Sequence, residues 1–187
     1  MISKLIKKYP EASFILKTIL LYCLFNYGSK FWIGITAKGN FYSEFCDQHL
    51  NYIKWLRHSI LIGASFVCKM FGFSTQIIDT TIIRVENGYG VTMIYSCIGI
   101  SVLSSWTAVA LAYTTPIKRK LIWLFSGLAV IWIINVLRVA ILLILFNTYK
   151  NPKGFEYHHE VFNTIAYIFV LVMIYFYLKD KKLTLKQ

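Results

Sequence analysis

Apolar residues fall into long runs broken by short charged clusters. Cys97 to Pro116 carries no charge and is followed by Lys118-Arg119-Lys120. Leu121 to Thr148 carries one charge, Arg138, and Val161 to Leu178 carries none before Lys179-Asp180-Lys181-Lys182. Each run is long enough for a helix to cross a bilayer, which takes about 20 residues and at the short end about 17. Two earlier runs are weaker. Ser13 to Ile35 contains Lys17 and Lys30, and Tyr52 to Phe73 contains Lys54, Arg57 and Lys69. Between the second run and Cys97 the pattern changes. Thr80 to Glu86 and Tyr89 to Tyr95 are rich in Ile, Val, Thr and Tyr and flank Asn87-Gly88, a strong two-residue hairpin signal. The pattern predicts a β-hairpin that leads directly into a helix starting near Cys97.

Composition turns these runs into a membrane reading. Hydrophobic residues make up 57% and charged residues 15%, against about 25% charged in an ordinary soluble domain. The mean hydropathy is +0.58. A disordered chain needs the opposite balance, and 187 residues enclose too little interior to hide so much apolar surface from water. The expected architecture is an all-α polytopic membrane protein. It is a helical bundle of about five membrane segments with an extracytoplasmic β-hairpin before Cys97, forming one integral membrane domain over residues 1–187.

The net charge of +12 sits in the clusters between runs, where it sets orientation and does not point to nucleic acid. Lys118-Arg119-Lys120 and the basic tail from Lys179 to Lys186 are expected on the cytoplasmic side. Ser74 to Ser96 and Tyr149 to His158 then face outward. Lys4, Lys7 and Lys8 also favour the cytoplasm, and the N-terminus shows no cleavable signal with a small-residue site. Five full spans would put the two termini on opposite sides. One early segment, with Tyr52 to Phe73 the candidate, is therefore expected to be interfacial or re-entrant.

Counting from the cytoplasmic clusters at about 1.5 Å per helical residue gives depths. Cys97 lies roughly 31 Å from Lys118, Arg138 roughly 27 Å from Lys120, and His159 roughly 30 Å from Lys179. A thiol, a guanidinium and an imidazole from three consecutive helices thus reach one level near the outer interface. An arginine inside a span costs at least about 2.5–3.5 kcal/mol, so Arg138 needs a polar interior, a partner or the headgroups. Asn135 shares its face one turn away. Cys97 opens a helix, where the macrodipole favours a thiolate, and Gly99 lets a substrate or another backbone approach closely. His158 and His159 begin the last helix and point about 100° apart, so one of them at most faces Cys97. The other cysteines, Cys23, Cys46 and Cys68, form no C-x-x-C pair, which leaves a zinc site or a disulfide framework without support.

These residue types make one kind of chemistry. A cysteine nucleophile needs a base or a partner that holds it as thiolate. A tetrahedral oxyanion or a substrate carboxylate needs a fixed cationic donor. The reaction this suggests is acyl transfer from a peptide bond through a thioester, with no metal and no cofactor.

The order C-x-G, then N-x-x-R in an apolar helix, then a histidine opening the last helix, resembles the exosortase/archaeosortase family. The matching segments are Ser96-Cys97-Ile98-Gly99-Ile100, Asn135-Val136-Leu137-Arg138-Val139-Ala140 and His159-Glu160-Val161-Phe162-Asn163. The likeness covers about residues 75–178 and is closest to the short exosortase F-type proteins of Bacteroidetes. It implies a multi-pass protein of the bacterial inner membrane whose active site faces the periplasm. The implied catalytic set is Cys97, Arg138 and His159, with Asn135, Gly99 and His158 as substrate-binding neighbours. The implied activity is that of a cysteine transpeptidase or protease of protein sorting. Its substrate would be an exported protein whose C-terminal tail has a short motif, a hydrophobic span and a basic end. That tail would be cleaved near the motif and its acyl group passed to an acceptor or to water. This chain departs from the family in having Ile98 in place of a common serine, and Asn163 where glycine often stands four residues after the histidine. Spacing to Asn163 favours His159 over His158. The alternative is a non-catalytic membrane scaffold or chaperone for an exported partner, in which Arg138 pairs with the partner's carboxylate and Cys97 is filler. A small anion transporter has less support, because no repeats or broken helices are visible.

Overall fold

The computed structural model describes residues 10–39, 41–150 and 158–179; the side chains of residues 158–160 lie outside the described residues. Helix α1 (Pro10–Thr36) is followed by a short α2 (Glu44–His49) and by α3 (Tyr52–Met70). Strands β1 (Thr75–Ile78), β2 (Ile82–Val85) and β3 (Gly90–Thr92) come next. A 3-10 turn (Tyr95–Ile98) then leads into α4 (Ile100–Ala112), α5 (Ile117–Tyr149) and α6 (His158–Lys179). Among the described residues, the three strong runs of the sequence are the three helical stretches long and apolar enough to cross a membrane: Tyr95–Ala112, Ile117–Tyr149 and Val161–Lys179.

Helix α5 is the axis of the molecule. Its 33 residues extend about 50 Å at 1.5 Å per residue, well beyond a hydrocarbon core of about 30 Å. The half of α5 near Ile117 packs with α4 and α6 in an aromatic cluster. Trp106 and Tyr177 are fully buried there, the Trp106 indole donates to the Leu124 carbonyl at 3.1 Å, and the Tyr177 hydroxyl donates to the Ala110 carbonyl at 3.2 Å. The Arg119 guanidinium donates to the Tyr177 carbonyl at 3.1 Å. The basic start of α5 and the end of α6 therefore meet at one end of the bundle, as the charge pattern expected.

The other half of α5 carries a second core. Ile60, Leu61, Ala64 and Cys68 of α3, Ile83 of β2 and Met93 just after β3 pack on Val136, Val139, Ala140 and Leu143. Helix α1 runs antiparallel to α4. Phe14 stacks edge-on against Tyr113 near one end, and the Ser101 hydroxyl donates to the buried Asn26 at 3.3 Å near the other. Tyr52 at the start of α3 donates to Ser29 of α1 at 3.0 Å, already at the level where α4 begins. Helix α3 then climbs beside the outer half of α5, with the Trp132 indole donating to Ser59 at 3.0 Å. So α3 lies over the bundle instead of spanning alongside α4.

The predicted hairpin is present as β2–β3, within a three-stranded antiparallel sheet ordered β1-β2-β3. Ile82 faces Thr92 and Arg84 faces Gly90. The connecting turn differs from the expected one. It runs Val85 to Gly88, closed by Gly88 N–H on the Val85 carbonyl at 3.0 Å, and the positive φ is at Asn87, +58°. Gly88 is needed for space: a Cβ there would strike the Asn147 side chain of α5.

Candidate active site

The 3-10 turn that carries Cys97 is fixed at both ends. Cys97 N–H donates to the Ile94 carbonyl at 2.9 Å, and Ile98 is fully buried. Gly99 closes the turn with φ +76°, the left-handed conformation that an L side chain adopts only at a cost. A Cβ on Gly99 would also stand 3.0 Å from the Asn135 side-chain nitrogen. Gly99 thus serves the backbone turn and its close packing on α5, and it caps α4, which begins at Ile100. Cys97 stands just ahead of that helix.

Two side chains of α5, one turn apart, hold this turn. Asn135 donates from Nδ2 to the Ile98 carbonyl at 3.2 Å. Arg138 donates from Nη2 to the Cys97 sulfur at 3.9 Å and from Nη1 to Asn163 Oδ1 of α6 at 3.4 Å. Its guanidinium also lies over the Phe162 ring, 6.0 Å from the centroid. Arg138 is only 4% exposed, so it does not snorkel to the headgroups. It lies 21 residues beyond Ile117, about 32 Å along the helix.

The structure therefore brings Cys97, Gly99, Asn135 and Arg138 together. His158 and His159 open α6, and their side chains lie outside the described residues. The backbone still ranks the two positions. Phe162 and Asn163 both face Arg138. At about 100° per residue, position 159 lies within roughly 10° of the midline between 162 and 163, whereas position 158 is roughly 90° away.

Asn163 and Phe162 are site residues that motif reading missed. Asn163 stood out only as a departure from glycine; the available signal was its place four residues after His159, on the same helical face. Arg57 was also missed. Its guanidinium lies over the Tyr95 ring at 5.4 Å, two residues before Cys97, which adds a second cation beside the turn.

A buried arginine bonded to a cysteine within a polytopic helical bundle is a candidate thiol site. A profile of the transmembrane exosortase family matches residues 10–176, and the chain belongs to that family. The match takes in α1 and α3 as well as the C-terminal half that carries the motifs. The family is one of membrane protein-sorting cysteine transpeptidases acting on exported proteins. No curated protein and no solved structure matches the chain.

Proposed function

We propose that this protein cleaves the C-terminal sorting tails of exported proteins at the extracytoplasmic face of the bacterial inner membrane, with Cys97 as nucleophile. The contact between the Arg138 guanidinium and the Cys97 sulfur carries this reading. A cation held there favours the thiolate before attack. During attack it lies beside the carbonyl oxygen that becomes the oxyanion, in a setting with little water to weaken it.

The Cys97 sulfur attacks the carbonyl carbon of the peptide bond near the sorting motif. The C–N bond breaks, and the leaving amine takes a proton from His159, whose position on α6 shares the face of Phe162 and Asn163. The tail departs with a new N-terminus, and the motif remains on Cys97 as a thioester. An acceptor amine or hydroxyl, or water, then attacks the thioester while His159 takes up its proton, and the thiolate is regenerated. Asn135 acts through the Ile98 carbonyl to hold the turn, and Asn163 orients Arg138. The engagement of Arg138 inside the chain, with Cys97 and Asn163, favours catalysis over a scaffold that keeps its arginine for a partner's carboxylate.

The test is to trap the intermediate. Membranes from the host are quenched in acid, and Cys97 peptides are searched by mass spectrometry for an acyl adduct. The expected adduct ends at the new C-terminus of an exported protein and is released by hydroxylamine. Full tail processing by Cys97→Ser or Cys97→Ala protein would leave the scaffold as the explanation.

A further inference from the structure

Strand β3 is an edge of the sheet, and it runs into the cysteine turn. Asn147 and Arg138 of α5 measure its course. Tyr89, just before β3, bonds to Asn147 through N–H to Oδ1 at 2.8 Å and carbonyl from Nδ2 at 3.3 Å. Cys97 bonds to Arg138. Nine helical residues separate the two contacts, about 13 Å along α5, a distance the eight residue steps from Tyr89 to Cys97 span with length to spare. The chain from Tyr89 to Cys97 thus passes from the level of Asn147 to that of Arg138 on α5, with Ile94 still extended at φ −79° and ψ 166°.

The edge is open. Val85 N–H bonds the Tyr89 carbonyl at 3.2 Å and Met93 N–H bonds the Thr81 carbonyl at 2.8 Å, so Tyr89, Val91 and Met93 turn their backbone groups toward β2. Gly90 and Thr92 then turn theirs outward by the alternation of an antiparallel ladder. Among the described residues no backbone bond outside the sheet reaches these groups. The opposite edge, β1, is held against α3, where the Ser65 and Thr75 hydroxyls bond at 2.7 Å. Over one face of the sheet, from Ile78 and Ile82 across Arg84 to Gly90 and Thr92, lies a cavity of about 670 Å³ that reaches Asn147 and Lys150 at the end of α5; among the described residues its lining holds two cations and no carboxylate. Arg84 is oriented there by its bond from Nε to the Gly88 carbonyl at 3.0 Å. An exposed edge with unpaired donors and acceptors is a template for another strand.

We infer that β3 is the docking strand for the substrate: the extended residues just before the cleaved bond add to its open edge, and alternate side chains reach over the adjoining sheet face into this cavity. This inference rests on the proposed function. The substrate's tail enters the membrane with its C-terminal end down, so its motif runs in the same direction as β3 and the pairing is parallel. Main-chain bonds to Gly90 and Thr92 supply affinity, and alternate side chains of the motif supply specificity. Arg84 and Lys150 select an acidic side chain in the segment before the cut.

Thr92→Pro removes the outward N–H, while the inward bonds belong to Val91 and Met93. Proline is tolerated where an edge strand's N–H faces away from the sheet. Losing this hydrogen bond is expected to slow tail processing about tenfold. A photocrosslinking residue is also placed at Thr92, and at Gln76 on β1 as control, in Cys97→Ala protein in host membranes. The expected adduct forms at Thr92 alone. It carries the same exported protein that the Cys97 enzyme trims, joined within a few residues before the cut. This crosslink decides the matter if Thr92→Pro protein is absent from the membrane. Normal processing by Thr92→Pro, or no such adduct at Thr92, overturns the docking strand while leaving the chemistry of Cys97 intact. Processing by Cys97→Ala protein overturns the enzymatic reading itself.

Discussion

The side-chain amide of Asn135 donates to the carbonyl oxygen of Ile98, so the helix that carries Arg138 also holds the backbone beside Cys97. One helical face thus fixes both the cation and the turn that presents the thiol. Gly99→Ala tests this coupling. The substitution forces a side chain into φ +76° and against Asn135. The left-handed strain alone is about 1–2 kcal/mol. The expected result is a protein that still inserts but processes tails poorly, checked by membrane fractionation beside a processing assay.

Arg138→Lys keeps the charge and loses the planar fork that serves Cys97 and Asn163 together. Removing a donor of this type costs about 10²–10³ in kcat. Processing is expected to fall by that order while the membrane level of the protein is unchanged. Near-normal processing would show that a point charge suffices.

The two histidines separate by face. His159→Ala is expected to lower processing by about 10²–10⁴, the range for loss of a general acid or base. His158→Ala is expected to have a much smaller effect. The decisive readout is the pH profile of processing, which should lose its histidine limb only in His159→Ala.

Trp106 lies directly against Gly127 where α4 crosses α5, and a Cβ at Gly127 would overlap the indole ring. Gly127→Leu is expected to destabilise the bundle by more than the about 1–3 kcal/mol usual for overpacking. It should lower the temperature at which detergent-solubilised protein aggregates, without touching the site.

Cys97 and Arg138 were legible because depth is a linear count along helices, and a buried charge in an apolar run has few places to go. Asn135 was legible as a neighbour of Arg138, but its partner, the Ile98 carbonyl, was not: a backbone acceptor leaves no mark in the sequence. Strand β1 was missed for a specific reason. Its turn into β2 places Asp79 and Thr80 at φ +50° and +57°, closed by Thr81 N–H on the Ile78 carbonyl. Turns of that kind usually advertise themselves with Asn-Gly or Asp-Gly, and a β-branched threonine hides the signal. The position of α3 was half legible. Its cations set it apart from the other runs, but only its packing on Val136, Val139, Ala140 and Leu143 of α5 shows where it lies.

The most direct measurement is the intact mass of the C-terminus of a tail-bearing exported protein, taken from cells with the parent enzyme and from cells with Cys97→Ala. The expected result is a trimmed or transferred C-terminus with the parent and the full apolar, basic tail with the variant. The same trimmed mass in both would contradict the assignment of Cys97 as the nucleophile.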